Sequence, residues 1–128
     1  MENSKQVIAT DKAPAAIGPY SQAVAVGNFV YASGQIPIDP ATGALVEGDV
    51  RAQAEQVCKN IGEILKAAGC GYEDVVKTTC FLKDLKDFAA FNEVYGRYFT
   101  GKPARSCVAV REIPKDVLCE VEVIAYRA

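Results

Sequence analysis

The chain has 128 residues, of which 50% are hydrophobic and 23% charged, with a formal net charge of −2 and a pI near 5.2. That size and balance point to one folded domain over residues 1–128 and exclude a disordered or fibrous chain. No block of like charge exceeds two residues, so the basic face that nucleic-acid binding needs is missing, and no run nears the ~18 apolar residues that cross a bilayer.

Histidine is absent altogether. Ser-His-Asp, Cys-His and His-metal chemistry are therefore excluded within one chain, and proton transfer is left to a carboxylate, Lys, Tyr, Cys or water. Five cysteines, an odd number with no close pair, argue against a disulfide framework and a sulfur-rich zinc site. Four of them read as small buried hydrophobes. The start, Met1-Glu2-Asn3-Ser4-Lys5-Gln6, lacks the basic-then-apolar form of a signal peptide, so a cytoplasmic chain is expected.

In chain order, a short strand is expected at Gln6–Ala9, then an irregular loop holding Pro14, Gly18 and Pro19. Ala23–Val26 and Phe29–Ser33 flank Gly27-Asn28, a two-residue turn suited to a hairpin. A Pro, Asp and Gly-rich loop runs from Gln35 to Gly48. Asp49 suits an N-cap for a helix in which Val50, Ala54, Val57, Cys58, Ile61, Ile64, Leu65 and Ala68 recur at helical spacing. Lys66 lies in its last turn and Gly69 suits the stop. The pattern next predicts a strand over Val75–Lys83, with Val76, Cys80 and Leu82 on one face and Lys77, Thr79 and Phe81 on the other.

Asp84-Leu85-Lys86-Asp87 reads as a variant capping box before a second helix striped by Phe88, Phe91, Tyr95 and Tyr98/Phe99. The last strands are Ala104–Val110 and Val117–Tyr126, joined around Pro114. The final one sets Cys119, Val121, Val123 and Ala125 against Leu118, Glu120, Glu122, Ile124 and Tyr126. The expected fold is α+β, a sheet covered on one face by two helices. Its other face mixes aromatic and charged side chains and suits a subunit interface in a homo-oligomer.

Arg105 and Cys107 sit two apart on a mostly apolar strand and so share a face. A guanidinium buried on such a strand needs an anion, which either a protein carboxylate (Glu120 or Glu122) or a ligand carboxylate could supply. Glu120 could hold or activate water, or serve as the ion-pair partner of Arg105 or Arg111. A neighbouring cation could activate Cys107, but with no histidine as its base a pocket-lining role is favoured over covalent catalysis. Ser33-Gly34 would let a ligand approach bare backbone, or is an ordinary strand exit. Tyr20 offers a hydroxyl on a rigid loop, or is a surface aromatic. No Gly-rich nucleotide loop, EF-hand or HExxH occurs, so no cofactor and no metal site is expected.

Ala13–Ala23, Ser33-Gly34-Gln35-Ile36-Pro37, Val76-Lys77-Thr78-Thr79, Lys83-Asp84-Leu85 with Phe88 and Asn92, Pro103-Ala104-Arg105-Ser106-Cys107, and Glu120 resemble, in order and spacing, the reactive intermediate deaminase (Rid) family. The match covers nearly the whole chain and looks like its archetypal deaminase branch. It implies a chorismate-mutase-like single domain with a mixed sheet, a homotrimer, and ligand sites between subunits. It also implies cofactor-free hydrolysis of 2-enamine and 2-imine intermediates, such as 2-aminoacrylate, 2-iminopropanoate and 2-iminobutanoate, to 2-oxo acids and ammonia. Carried over residue by residue, Arg105 grips the substrate carboxylate and Glu120 positions or activates water. Cys107 lines the site, Ser33 and Gly34 complete the pocket, and Tyr20 closes it.

Two positions depart from the family pattern. Cys119 is usually aliphatic, and Lys102, in a shortened Thr100–Pro103 connection, stands where an aromatic or aliphatic residue is frequent. The partner expected is thus a small 2-imino or 2-enamino acid and further copies of this chain, with no nucleic acid and no membrane. The alternative reading is a module that binds small carboxylates or 2-oxo acids without turnover.

Overall fold

The computed structural model describes residues 4–128, so the first three residues of the segment read above for a targeting signal lie outside it. Its strands are β1 (Gln6–Ile8), β2 (Ala23–Val26), β3 (Phe29–Gln35), β4 (Val75–Leu82), β5 (Ala104–Ala109) and β6 (Cys119–Tyr126), and its α-helices are α1 (Val50–Ala67) and α2 (Phe88–Tyr98). The strands form one sheet in the order β1-β2-β3-β6-β4-β5. β4 and β5 run parallel and every other pair antiparallel, which makes the sheet mixed.

Alternation on β6 decides the layers. Cys119, Val121, Val123 and Ala125 are buried against the helices, while Glu120, Glu122, Ile124 and Tyr126 face the other way. The stripe on α1 buries Val57, Cys58, Ile61, Ile64 and Leu65 completely. Each such aliphatic side chain is worth ~1.5–3 kcal/mol relative to an exposed one.

The helix ends follow local chemistry. Asp49 Oδ1 accepts the Ala52 N–H at 3.1 Å, relieving one orphan donor at the start of α1. At the other end Gly69, at φ 81°, turns left-handed. The Cys70 N–H then donates to Leu65 O at 2.8 Å and the Gly69 N–H to Lys66 O at 3.0 Å, the paired bonds of a Schellman stop.

Three expectations need correction. Val76 is 44% exposed and Val75 is buried, the reverse of the alternation read from the sequence. A bulge is the cause: Val75 pairs with Ala125 and Lys77 with Ile124, so β4 carries one extra residue there and its phase slips by one. The capping box does not form before α2. Asp84 instead accepts the Lys86 N–H at 2.8 Å and caps a 3-10 turn over Leu85–Asp87, and Asp87 makes no side-chain cap bond to α2. Three cysteines, not four, are buried, since Cys70 and Cys107 are both partly exposed.

No helix among the described residues is long and apolar enough to cross a membrane.

Candidate active site in two halves

Arg105 stands on the edge strand β5 opposite Thr78 of β4, on the helix-covered face. Its Nη1 donates to Asn92 Oδ1 at 2.7 Å, and its guanidinium lies over the Tyr95 ring (4.8 Å to the centroid) and near the Phe88 ring (5.5 Å). Phe88, Asn92 and Tyr95 fall at i, i+4 and i+7 of α2, so one turn-to-turn stripe cradles the cation. The Tyr95 hydroxyl is fixed in turn by Thr78 Oγ1 at 2.8 Å. Asn92 is neutral, so the charge of Arg105 is oriented but not cancelled.

Cys107 shares that face, as its spacing from Arg105 predicts, and pairs with Cys80 across the parallel ladder. Burial raises its pKa, while Arg105 and a hydrogen bond from Cys80 pull the other way. The group is therefore a thiol at neutral pH, which fits a lining role and not a nucleophile.

Glu120 lies on the opposite face, paired with Phe81. Burial, then the neighbouring charge of Glu122, raise its pKa above the ordinary carboxyl value. β3 carries a second bulge beside it. Ala32 pairs with Val123 but Gln35 with Val121, so one residue is extra at Ser33-Gly34. The strand thus continues past the exit expected at Ser33-Gly34 and ends at Gln35.

Gly34 backs directly onto the Glu120 carboxyl: a Cβ there would stand 2.9 Å from Glu120 Cδ, inside any real contact. Ser33 Oγ donates to Ser21 O at 2.6 Å, and its N–H to Gln22 O at 2.9 Å, which ties the bulge to the loop bearing Tyr20. Tyr20, Ser33, Gly34, Ile36, Pro114 and Glu120 line a single cleft of about 530 Å³, with Glu122 at its side. Asn60 of α1 holds its floor, donating to the carbonyls of Ile38 at 2.9 Å and Ile36 at 3.3 Å.

The six candidate residues therefore assemble as two groups: Arg105 with Cys107, and Tyr20, Ser33 and Gly34 with Glu120. The groups occupy opposite faces, and β4 separates β5 from β6. The ion pair considered between Arg105 and Glu120 or Glu122 does not exist, because side chains on opposite faces of a sheet cannot meet. In the sequence Asn92 stands out only within the Rid-like motif. Its signal was a polar residue on the aromatic stripe of α2, which argues for a buried polar partner. Ile36 is signalled only by its place in the Ser33–Pro37 motif, and Pro114 by nothing beyond its loop.

Residues 10–127 match the family model described as endoribonuclease L-PSP. A RutC family protein from Pyrococcus abyssi is 58% identical over 125 residues, covering 97% of this chain and 98% of the relative. A 2-iminobutanoate/2-iminopropanoate deaminase from Salmonella typhimurium is 55% identical over 126 residues, 95% of this chain and 98% of its own. Among solved structures, a Rid-family protein from Yersinia pestis superposes with a TM-score of 0.94 at 50% identity, covering 96% of this chain and 99% of that one. The chorismate-mutase-like α+β architecture implied by the resemblance is therefore the observed one. Likeness of this depth along nearly the whole length settles descent: the chain belongs to the endoribonuclease L-PSP family, which it shares with the Rid and RutC proteins.

Proposed function

We propose that this protein is an enamine/imine deaminase, hydrolysing 2-iminobutanoate and 2-iminopropanoate, with their 2-enamine tautomers, to 2-oxo acids and ammonia. The Salmonella relative carries that activity in its name. The observation that supports it here is the pairing of an uncancelled guanidinium with a carboxyl of raised pKa, each in its own half-site. Arg105 holds the substrate carboxylate by its free N–H groups. Glu120 takes a proton from water as the water oxygen bonds to the imine carbon and the C–N π electrons move to nitrogen. The proton then returns to nitrogen, the hydroxyl proton passes through Glu120 to the same nitrogen, and the C–N bond breaks to leave the 2-oxo acid, ammonia and a free Glu120 carboxylate. A carboxyl pKa moved toward neutrality suits both transfers. Water held in line with an already electrophilic carbon needs little further help.

Because the halves face opposite ways, a complete site takes Arg105 and Cys107 from one copy and Tyr20, Ser33, Gly34 and Glu120 from another, within a homotrimer. The face away from the helices supports this, since Val26, Phe29, Tyr31 and Tyr126 are exposed on it. That is more aromatic surface than a lone sheet leaves in water.

The test is ammonia release from 2-iminobutanoate made in situ by threonine dehydratase. Wild type should accelerate it, and Arg105→Ala and Glu120→Ala should each abolish the gain. An unchanged rate with wild type would overturn the assignment, and binding of 2-oxo acids without turnover would mark a sensing module. The endoribonuclease of the family description finds no support in a chain with no histidine and a net charge of −2.

A further inference from the structure

Beside Arg105 the surface opens into a groove of about 460 Å³ that imine hydrolysis of short substrates leaves unexplained. It runs between the C-terminal half of α2 and the segment entering β5, and its wall includes Asn92, Gly96, Thr100 and Lys102 along with Arg105. A four-carbon imino acid, on the order of 100 Å³, fills only a fraction of it. Gly96 leaves open space where a side chain would stand.

The groove is unevenly charged. Lys102 and Arg105 line it and no Asp or Glu does. Neither cation forms an ion pair among the described residues. Lys102 is not a passive rim residue in its backbone. It holds φ at 51°, a left-handed conformation that lysine rarely adopts. Its N–H donates to Phe99 O at 3.3 Å, and Pro103 fixes the next φ. With one proline and Ala104 between them, the Cα atoms of Lys102 and Arg105 lie within about 11 Å. Both stems are long enough to bring their charges to the two ends of one small dianion.

We propose that this groove is a second anion subsite, and that the protein accepts 2-imino dicarboxylates: Arg105 takes the carboxylate next to the imine carbon and Lys102 the distal one. The assignment rests on the deaminase reading and extends its substrate class. Thr100 offers a hydroxyl beside the distal group, and Gly96 gives the lengthened chain its room.

The experiment compares 2-iminoglutarate, generated in situ by an L-glutamate oxidase with catalase, against 2-iminobutanoate, both followed by competition with semicarbazide. The readout is the ratio of kcat/KM for the two imines. Wild type should turn over both, and Lys102→Gln and Lys102→Phe should each lower the ratio about tenfold. In calorimetry, 2-oxoglutarate should bind wild type more tightly than 2-oxobutanoate, and the preference should vanish in both variants. A ratio and preference untouched by either variant would overturn the subsite, as would turnover of 2-iminobutanoate alone by wild type. Acceleration of neither imine would overturn the deaminase reading itself, and the subsite with it.

Discussion

Gly34 touches the candidate site through one contact, the Glu120 carboxyl. A Cβ there would drive into the Glu120 carboxyl, the mobile end of a side chain, and not into backbone. Gly34→Ala should therefore melt close to wild type yet lose at least tenfold in kcat, because a displaced carboxyl no longer aims water at the imine. Glu120 has its own linkage. Its folded pKa is raised, so the folded state keeps the proton to a higher pH than the unfolded chain does. The stability this lends is full below the ordinary carboxyl pKa and is lost as pH rises through the raised value. At neutral pH the charged group is then a cost, and Glu120→Gln should melt above wild type at pH 7, with the gap closing toward pH 4. In wild type kcat/KM should fall as pH drops through the same raised value, where the base is titrated. Arg105→Lys, which keeps the charge but loses the planar fork and its stacking on Tyr95, should raise KM at least tenfold.

At the scale of elements, what was legible in the sequence was what is local. Periodicity located both α-helices and caps marked the ends of α1, and alternation on the final strand sorted Cys119, Val121, Val123 and Ala125 to the core. The two bulges were not legible, because an extra residue in a ladder is a property of two strands and not of one. At Val76 that hid a phase slip, and at Ser33-Gly34 it hid the device that brings backbone against Glu120. The candidate site was proposed from the sequence because an arginine and a thiol on one strand, and a carboxylate in an apolar run, each break a pattern. Its division between two faces was not legible, because the face that Arg105 takes is set by the register of β5 on β4, and β5 has no fully buried face of its own to announce it. The loop after β3 depends on Asn60, buried in α1 and donating to two of its carbonyls. Asn60→Ala should cost ~1–3 kcal/mol in urea unfolding, because the Ile38 carbonyl and the Gln56 amide both lose their partner in a half-buried setting, and should weaken catalysis through the loosened cleft.

At the scale of the whole molecule, opposed half-sites make a sharp forecast for mixtures. Arg105→Ala and Glu120→Ala should each be inactive alone. When they are unfolded together in equal amounts and refolded, some interfaces must set an intact Arg105 against an intact Glu120. Random closed rings would recover about a quarter of wild-type activity, whereas a site built within one chain would recover none. Measuring ammonia release after co-refolding, with the separately refolded variants as blanks, decides between them.

That geometry also ranks alleles in an unexpected order. In a trimeric ring with such sites, a single Arg105 variant chain would cost one site and a single chain lacking both Arg105 and Glu120 would cost two. A chain too damaged to fold joins no ring and spoils nothing. The folded, well-behaved double variant would be the dominant one, and the grossly unfolded chain the recessive one.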